Sequence, residues 1–404
     1  MSAPASSPLP LSGLVVVDLS QVMAGPYCTM LLGDLGADVI KIEPPGTGDL
    51  SRSMGGAQLE LRGDDNAPFL ALNRNKRSVV LDLKSPGDAE RLRTLVRGAD
   101  VFVENSRPGV MARLGFDYET LSSINPRLVY ASISGFGHTG PYADRPGFDL
   151  IAQGMSGVMS VTGEPDGPPV KCGVPIADLS AGLFAANGIM AALIARERTG
   201  RGQHVETSLF ESALALSVWE TTEYWATGVS PRPKGSAHRL NAPYQAFRAR
   251  DGYLTLAALT SQQWERLCAV LGREALVTDQ RFATNDARMS NAPALTTEIE
   301  SALADSTVAE WVARFHDAGV PAGPIHDYAQ VFADPHTAAR DMVWEIEHPV
   351  EGTIRTLGCP VKMGDAQLAP MRPPPLLGEH TNEVLAAIER HAAGSAPGQR
   401  GGAT

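Results

Sequence analysis

The chain has 404 residues, 43% of them hydrophobic and 20% charged, enough to bury a large core in two or three structural units. A formal charge of −11 argues against nucleic acid or an anionic membrane as the main partner. The four cysteines (Cys28, Cys172, Cys268, Cys359) form no CxxC pair and the nine histidines no HExxH spacing, so neither a disulfide framework nor a metal is expected, and a reducing cytoplasm is.

The start, MSAPASSPLPLSG, lacks the basic-then-apolar order of a signal peptide. LVVVDLS (Leu14–Ser20) reads as a buried strand, and AGPYCTMLLGDLG as a helix with Pro26 in its first turn and Gly36 at its stop. ADVIKIE (Ala37–Glu43) completes a βαβ unit. SVVLDLKSPGDAERLRTLVRGADVFVEN repeats the pattern, with Ser85 and Asp88 as a capping box and Pro86 at the first helical position. RLVYASISGFG (Arg127–Gly137) supplies another strand. Strands separated by helices predict an α/β fold with a parallel sheet covered on both faces.

The Val174–Ala195 stretch is apolar but broken by Asp178, Asn187 and small residues, so no membrane span is expected. A helix rich in Gly and Ala follows Asp178, then a polar turn (Arg198–Glu206) and a long apolar helix around Thr207–Trp225. Composition sets a first domain over 1–227, a Pro-, Gly- and Arg-rich linker over 228–244 and a smaller α+β domain over 245–327. Strand signals near Thr353–Lys362 precede a final helix starting near Thr381, and 392–404 has the composition of a disordered tail.

Several chemistries find partial support. Glu43 at the end of a second strand invites a dinucleotide oxidoreductase, but the turn that should cradle the pyrophosphate is QVMAGP, without GxGxxG. Gly154-Met155-Ser156-Gly157-Val158 lacks the last glycine of a nucleophile elbow. Cys172 reads as a buried, inert thiol, and His138 as an exposed loop histidine or a general base. Asp178 is the one charged residue between Lys171 and Arg196. Its plain reading is a helix cap. The alternative is an ionised, poorly hydrated carboxylate at a helix start, beside a small-residue surface that a backbone or ligand can approach, which suits covalent catalysis at an activated acyl group.

AGPYCTMLLGDLGADVIKIEPPGTGD, LNRNKRSVVLDLK, DVFVENSRPGVMARLGFDY, SGFGHTGPYADRPGFDLIAQGMSG, TGEPDGPPVKCGVPIADLSAG and RPPPLLGEHT, in this order across nearly the whole chain, resemble the class III coenzyme A transferases of the CaiB/BaiF type. The resemblance implies a Rossmann-like large domain built from both chain ends, with 328–391 returning to it, and an interlocked ring-like homodimer. It implies Asp178 as nucleophile, acyl-CoA and a carboxylic acid as substrates, and no permanently bound cofactor. CoA contacts would fall at Met23, Ala24, Leu81, Lys84, Asn105, Ser106, Arg107, Arg113 and Phe148. Met23 replaces a glutamine of the formyl-CoA branch. Pro44 replaces an arginine there, leaving Lys41 or Arg52 as substitute phosphate partners.

Related racemases carry a histidine where this chain has Phe148, so a racemase, which needs a second proton-transfer group, is the weaker reading. A non-catalytic CoA-binding protein is a further alternative. The missing glycine-rich loop sets aside formate and oxalate, and His238 and Arg239 are candidate contacts for the carboxylate of a larger acid. The expected reaction is CoA transfer from a donor such as succinyl-CoA to a dicarboxylate.

Overall fold

The computed structural model describes residues 8–55 and 61–394; residues 1–7 and, of the expected tail, 395–404 lie outside the described residues. The chain divides into two units, one of 1–158, 171–219 and 336–404, the other of 159–170 and 220–335. The crossings thus fall before residue 227 and after residue 327, and residues 228–244, expected as a linker, belong to the second unit.

The first unit is built on six parallel strands: β1 (Val15–Asp18), β2 (Asp38–Glu43), β3 (Lys76–Val80), β4 (Val101–Glu104), β5 (Val129–Ser134) and β6 (His204–Ser208). Their order is β3-β2-β1-β4-β5-β6, so the direction of winding reverses between β1 and β4. β1 to β5 form because short Val/Ile-rich runs bury both faces of the sheet. Val16, Val39, Val101, Val103, Ala131 and Ile133 pack under helices Ala24–Asp34 and Ile176–Thr199. Val17, Ile40, Phe102 and Tyr130 pack on the opposite face with Leu92, Leu95 and Val384, from helices Pro86–Arg97 and Thr381–Gly394. The last helix runs to Gly394, so 392–394 belong to it.

Helix Ile176–Thr199 is long and apolar enough, by length and composition, to cross a bilayer, contrary to the reading of Val174–Ala195; half of its apolar window is buried. Ala177, Ala181, Ala185, Ile189 and Leu193 make an i, i+4 stripe against the sheet. At Gly182 a Cβ would lie 2.6 Å from the Ala24 carbonyl oxygen, so only glycine admits helix Ala24–Asp34 this closely.

Other local expectations change. Ser85 is the N-cap but makes no side-chain cap bond; Asp88 instead accepts from the Asp82 amide (3.0 Å) and pairs with Arg91 (2.8 Å). The polar turn before Glu206 holds β6, an edge strand whose alternating half-exposed residues hide the pattern. The apolar helix of Thr207–Trp225 is two, Leu209–Ala215 and Val218–Thr227; the first ends in i→i−3 bonds from Leu216 and Ser217. A hairpin, β10 (Val343–His348) and β11 (Gly352–Leu357), belongs to the same unit.

The second unit has a three-stranded antiparallel sheet, β7 (Tyr244–Arg248), β8 (Tyr253–Ala257) and β9 (Ala322–Pro324), over a core that includes Phe247, Trp264, Phe282, Ile299 and Phe315. Three of its described helices start on full capping boxes, Thr260/Gln263, Thr307/Glu310 and Asp327/Gln330.

A buried charge network joins the end of β1 (Asp18), the middle of β2 (Lys41), the start of β3 (Lys76) and Asp49 beyond β2. Lys76 Nζ meets Asp18 Oδ2 at 3.1 Å and Lys41 Nζ meets Asp49 Oδ2 at 2.7 Å, all four side chains fully buried. Although burial opposes it, the pull of Lys76 and Lys41 holds the Asp18 carboxyl well below the usual carboxylate range. Deleting one partner leaves the other charge uncompensated. Lys76→Met should therefore cost about 3–5 kcal/mol of unfolding free energy in a denaturant titration; a loss within experimental error of zero would show that Lys41 alone suffices for Asp18.

Candidate active site

A cavity of about 360 Å³ opens at the C-terminal ends of β1, β4 and β5, where the strand order reverses. In open α/β sheets this crevice is where ligands bind. Met23 and Ala24 line it after β1, Asn105 and Arg107 after β4, and Phe148 and Asp178 complete it.

The β1 loop is held from below. Asp18 Oδ1 accepts the Ser20 amide (2.9 Å), Lys41 Nζ donates to the Ser20 carbonyl (2.8 Å), and Asp49 Oδ1 accepts the Val22 amide (3.0 Å). Val22 stands at φ 69°, in the left-handed region that a β-branched residue adopts only under constraint. From the side, Asn105 accepts the Gln21 amide and donates to the Gln21 carbonyl, both at 2.8 Å. The side-chain amide of Asn105, expected to bind CoA, thus fixes the loop that lines the cavity. Met23 occupies the N-cap of helix Ala24–Asp34 without a side-chain bond, and among the described residues no other side chain caps the helix's positive end.

Asp178 sits in the first turn of helix Ile176–Thr199, half-buried. It is not the cap. The first-turn amides of Ala177 (2.9 Å) and Asp178 (3.4 Å) donate to Asp149 Oδ1, from the first turn of helix Asp149–Met155. Gln153 Nε2 donates to Asp149 Oδ2 (2.7 Å), and its Oε1 accepts the Cys172 amide (2.9 Å). The Asp178 carboxylate itself takes no hydrogen bond or ion pair among the described residues. Burial, and then the neighbouring Asp149 charge, raise its pKa from 3.8 to about 7. The expectation that the helix start holds Asp178 fully ionised is corrected: its amides are engaged by Asp149.

Asp149 is delivered by a glycine contact. A Cβ on Gly147 would lie 2.5 Å from the Gly135 Cα, so two glycines let the chain after β5 and the chain before Asp149 touch. Phe148, between them, is 72% exposed in the cavity, and no protonatable side chain stands at that position. Sequence reasoning missed Arg145, which lines the cavity with its guanidinium 3.8 Å from the Tyr142 ring centre. Ser106 also lines it, its amide donating to the buried Glu104 (2.7 Å).

Other candidates lie elsewhere. Leu81 is in the core beside Val79, while Lys84 and Arg113 are exposed; none of the three lines this cavity. Lys41 and Arg52 are not free phosphate partners: Lys41 is tied to Asp49, and Arg52 to Glu43 and Asp65, each at 2.7 Å. The same Arg52 contact, with Ser78 Oγ at 2.6 Å and the Asp49 amide at 2.8 Å, occupies the carboxylate of Glu43, closing its reading as a ribose ligand. His238 and Arg239 are in the second unit, His238 stacked on Tyr244 and Arg239 paired with Glu223 (2.7 Å). Cys172 is half-buried rather than buried, on a loop tied to Gln153 through its backbone amide. His138 is half-buried, edge-on to His204.

The model of CoA-transferase family III matches residues 11–381. The succinate–glutarate CoA-transferase of Agrobacterium fabrum is 42% identical over 94% of this chain and 96% of its own. The acetyl-CoA:oxalate CoA-transferase of Acetobacter aceti is 45% identical over 90% and 91%. A CaiB/BaiF family protein from Brucella suis has a crystal structure that superposes with a TM-score of 0.85 at 42% identity, covering 95% of this chain and 100% of that one. The chain belongs to CoA-transferase family III and is a CoA-transferase, an enzyme acting on acyl-CoA and carboxylic acid substrates.

Two outcomes follow from the Asp178 environment. Any step that needs its carboxylate should accelerate as pH rises through about 7, and Asp149→Asn, which removes the neighbouring charge, should move that midpoint to lower pH in a single-turnover pH series. An unmoved midpoint would mean that burial alone sets it. Secondly, an acid whose folded pKa is raised from 3.8 to about 7 loses stability for the fold as pH climbs between those values. Asp178→Asn should therefore melt higher than the parent at pH 8, with the gain shrinking toward pH 4.

Proposed function

We propose that the enzyme moves CoA from a dicarboxylyl donor such as succinyl-CoA to a dicarboxylic acid through covalent intermediates on Asp178. The observation that carries this is a carboxylate without partners, half-buried in the cavity at the sheet's switch point, in a chain of this family. An Asp178 oxygen attacks the thioester carbonyl carbon; the C–S bond breaks, CoA leaves as thiolate, and a mixed anhydride remains. The thiolate attacks the Asp178 carbonyl carbon, releasing the donor acid and leaving an aspartyl-CoA thioester. The acceptor carboxylate then attacks that carbonyl, expelling the thiolate and forming a second anhydride. Attack of the thiolate on the acceptor's acyl carbon yields the new thioester and restores Asp178. Each step exchanges one activated carbonyl for another, so the cycle needs no net proton, redox partner or resident cofactor.

Negative charge develops on the carbonyl oxygen in every addition. The uncapped start of helix Ala24–Asp34, at Met23 and Ala24, is the local dipole suited to receive it. Arg107 and Arg145 supply cations in the same cavity for the CoA phosphates or the acceptor's second carboxylate. The dicarboxylate reading draws on the relatives named for succinate and glutarate; the relative named for oxalate returns that acid to the panel. The enzyme is further read as cytoplasmic, consistent with four free thiols, and as an interlocked homodimer.

Intact-protein mass spectrometry after mixing with succinyl-CoA, with hydroxylamine or borohydride trapping, should place a modification on Asp178, and Asp178→Ala should abolish both it and turnover. Glutarate, mesaconate and oxalate should accept CoA in preference to monocarboxylates of equal length. CoA binding without any adduct, or transfer confined to monocarboxylates, would overturn the respective half of the proposal.

A further inference from the structure

We propose that Gln153 is a positioning residue for Asp178: its buried side-chain amide holds Asp149 in the rotamer that caps the Asp178 helix and ties the loop leading into that helix to the same support. The inference rests on the reading of Asp178 as nucleophile.

The geometry poses a problem that something must solve. Asp149 and Asp178 are two carboxylates placed so closely that one raises the proton affinity of the other. Asp149 is only half-buried, so a free side chain there would relieve the repulsion by turning toward water. That rotation would strip the Ala177 and Asp178 amides of their acceptor and free the first turn that carries Asp178. Gln153 opposes it. Fully buried and one helical turn after Asp149, it donates to the oxygen of Asp149 that does not cap (2.7 Å). Its other end accepts the Cys172 amide (2.9 Å), so donor and acceptor are both used and the amide's orientation is determined.

One side chain thereby grips the two ends of the segment Cys172–Ala177, one directly and one through Asp149. The segment carries Asp178 into the cavity and enters the first unit at Lys171, directly after the 159–170 excursion into the second. Among the described residues, no other hydrogen bond of the 172–177 backbone reaches helix Asp149–Met155. A nucleophile displaced by about 1 Å loses on the order of a hundredfold in rate, so a clamp on its entry loop has a kinetic consequence out of proportion to its binding energy.

The test follows formation of the Asp178 adduct from succinyl-CoA by rapid quench and mass spectrometry in the parent, Gln153→Leu, Gln153→Glu, Asp149→Asn and the double variant Asp149→Asn/Gln153→Leu. Gln153→Glu is isosteric, keeps an acceptor for Cys172 and, when ionised, sets a negative charge against Asp149 in place of the donor, so, measured at alkaline pH, it answers the question even where the leucine variant folds poorly. Both single variants at 153 should slow adduct formation roughly ten- to a hundredfold while the KM for succinyl-CoA stays within about twofold, because the residue touches no substrate. In the Asp149→Asn background, Gln153→Leu should add little further loss. Parental adduct rates in both single variants, a KM that rises in step with the loss, or full additivity with Asp149→Asn would each overturn the proposal. A parent that turns over without any adduct on Asp178 would instead bring down the nucleophile reading, and this one with it.

Discussion

The loop after β1 can line a binding cavity only because buried charge holds it in a conformation it would not choose. Val22 is β-branched and left-handed, at φ 69°, an arrangement of order 1–3 kcal/mol above the extended alternative. Its amide is claimed by Asp49, the carbonyl two residues earlier by Lys41, and Lys41 and Lys76 are themselves paired with Asp49 and Asp18 under zero solvent exposure. Ion pairs of this kind add little net stability, since desolvation offsets most of the attraction. What they contribute is direction. Five hydrogen bonds with fixed donors and acceptors hold the loop in one shape, two of them from Asn105 on the β4 side. The neighbouring helix start at Met23 is then aimed at the crevice as a consequence.

A second constraint acts on the opposite wall. Helix Ile176–Thr199 can lie close to helix Ala24–Asp34 because Gly182 offers no Cβ where the Ala24 carbonyl passes. Two helix starts therefore converge on one cavity, with the reacting carboxylate in the first turn of one of them. Partial desolvation does the rest: nothing among the described residues pairs with Asp178, so its pKa rises to about 7. A group poised there exists near neutrality as a mixture of acid and carboxylate, and the carboxylate is a stronger nucleophile than one at the ordinary 3.8.

The parts legible from the residues were those whose signal is local. Buried Val/Ile runs announced β1, β2, β4 and β5, and the six ordered blocks announced the family. β6 escaped because an edge strand need not be apolar: His204, Glu206 and their neighbours alternate half-exposed, like a turn. The Asp178 helix is apolar enough on average to match a membrane span in length and composition despite Asp178 and Asn187, because its small residues pack against the sheet as a core helix does. Asp149 and Gln153 were out of reach for a different reason. A capping residue normally lies within three positions of the amides it serves, but Asp149 precedes Asp178 by a whole helix and an excursion into the other unit. Nothing in GFDLIAQ states which helix its acid will cap. Lys41 and Arg52 were misplaced by the converse error, since a basic residue near a binding motif looks like a phosphate ligand until burial reveals its carboxylate partners.

Capping from a distance also explains how one cavity can contain two helix starts put to opposite uses. An acid at a helix start normally surrenders its lone pairs to the free amides, which lowers its pKa and its reactivity together. Here Asp149 takes that role for helix Ile176–Thr199, and Asp178 is left facing the cavity with the dipole behind it already answered. Helix Ala24–Asp34 receives no such cap; Met23 stands where a serine or aspartate would ordinarily sit. Its positive end stays open toward whatever carbonyl enters. A cap at Met23 would quench the electrophilic side, and the loss of Asp149 would quench the nucleophilic one. On the proposed chemistry the site depends on that asymmetry, because one helix start must be silent and the other not.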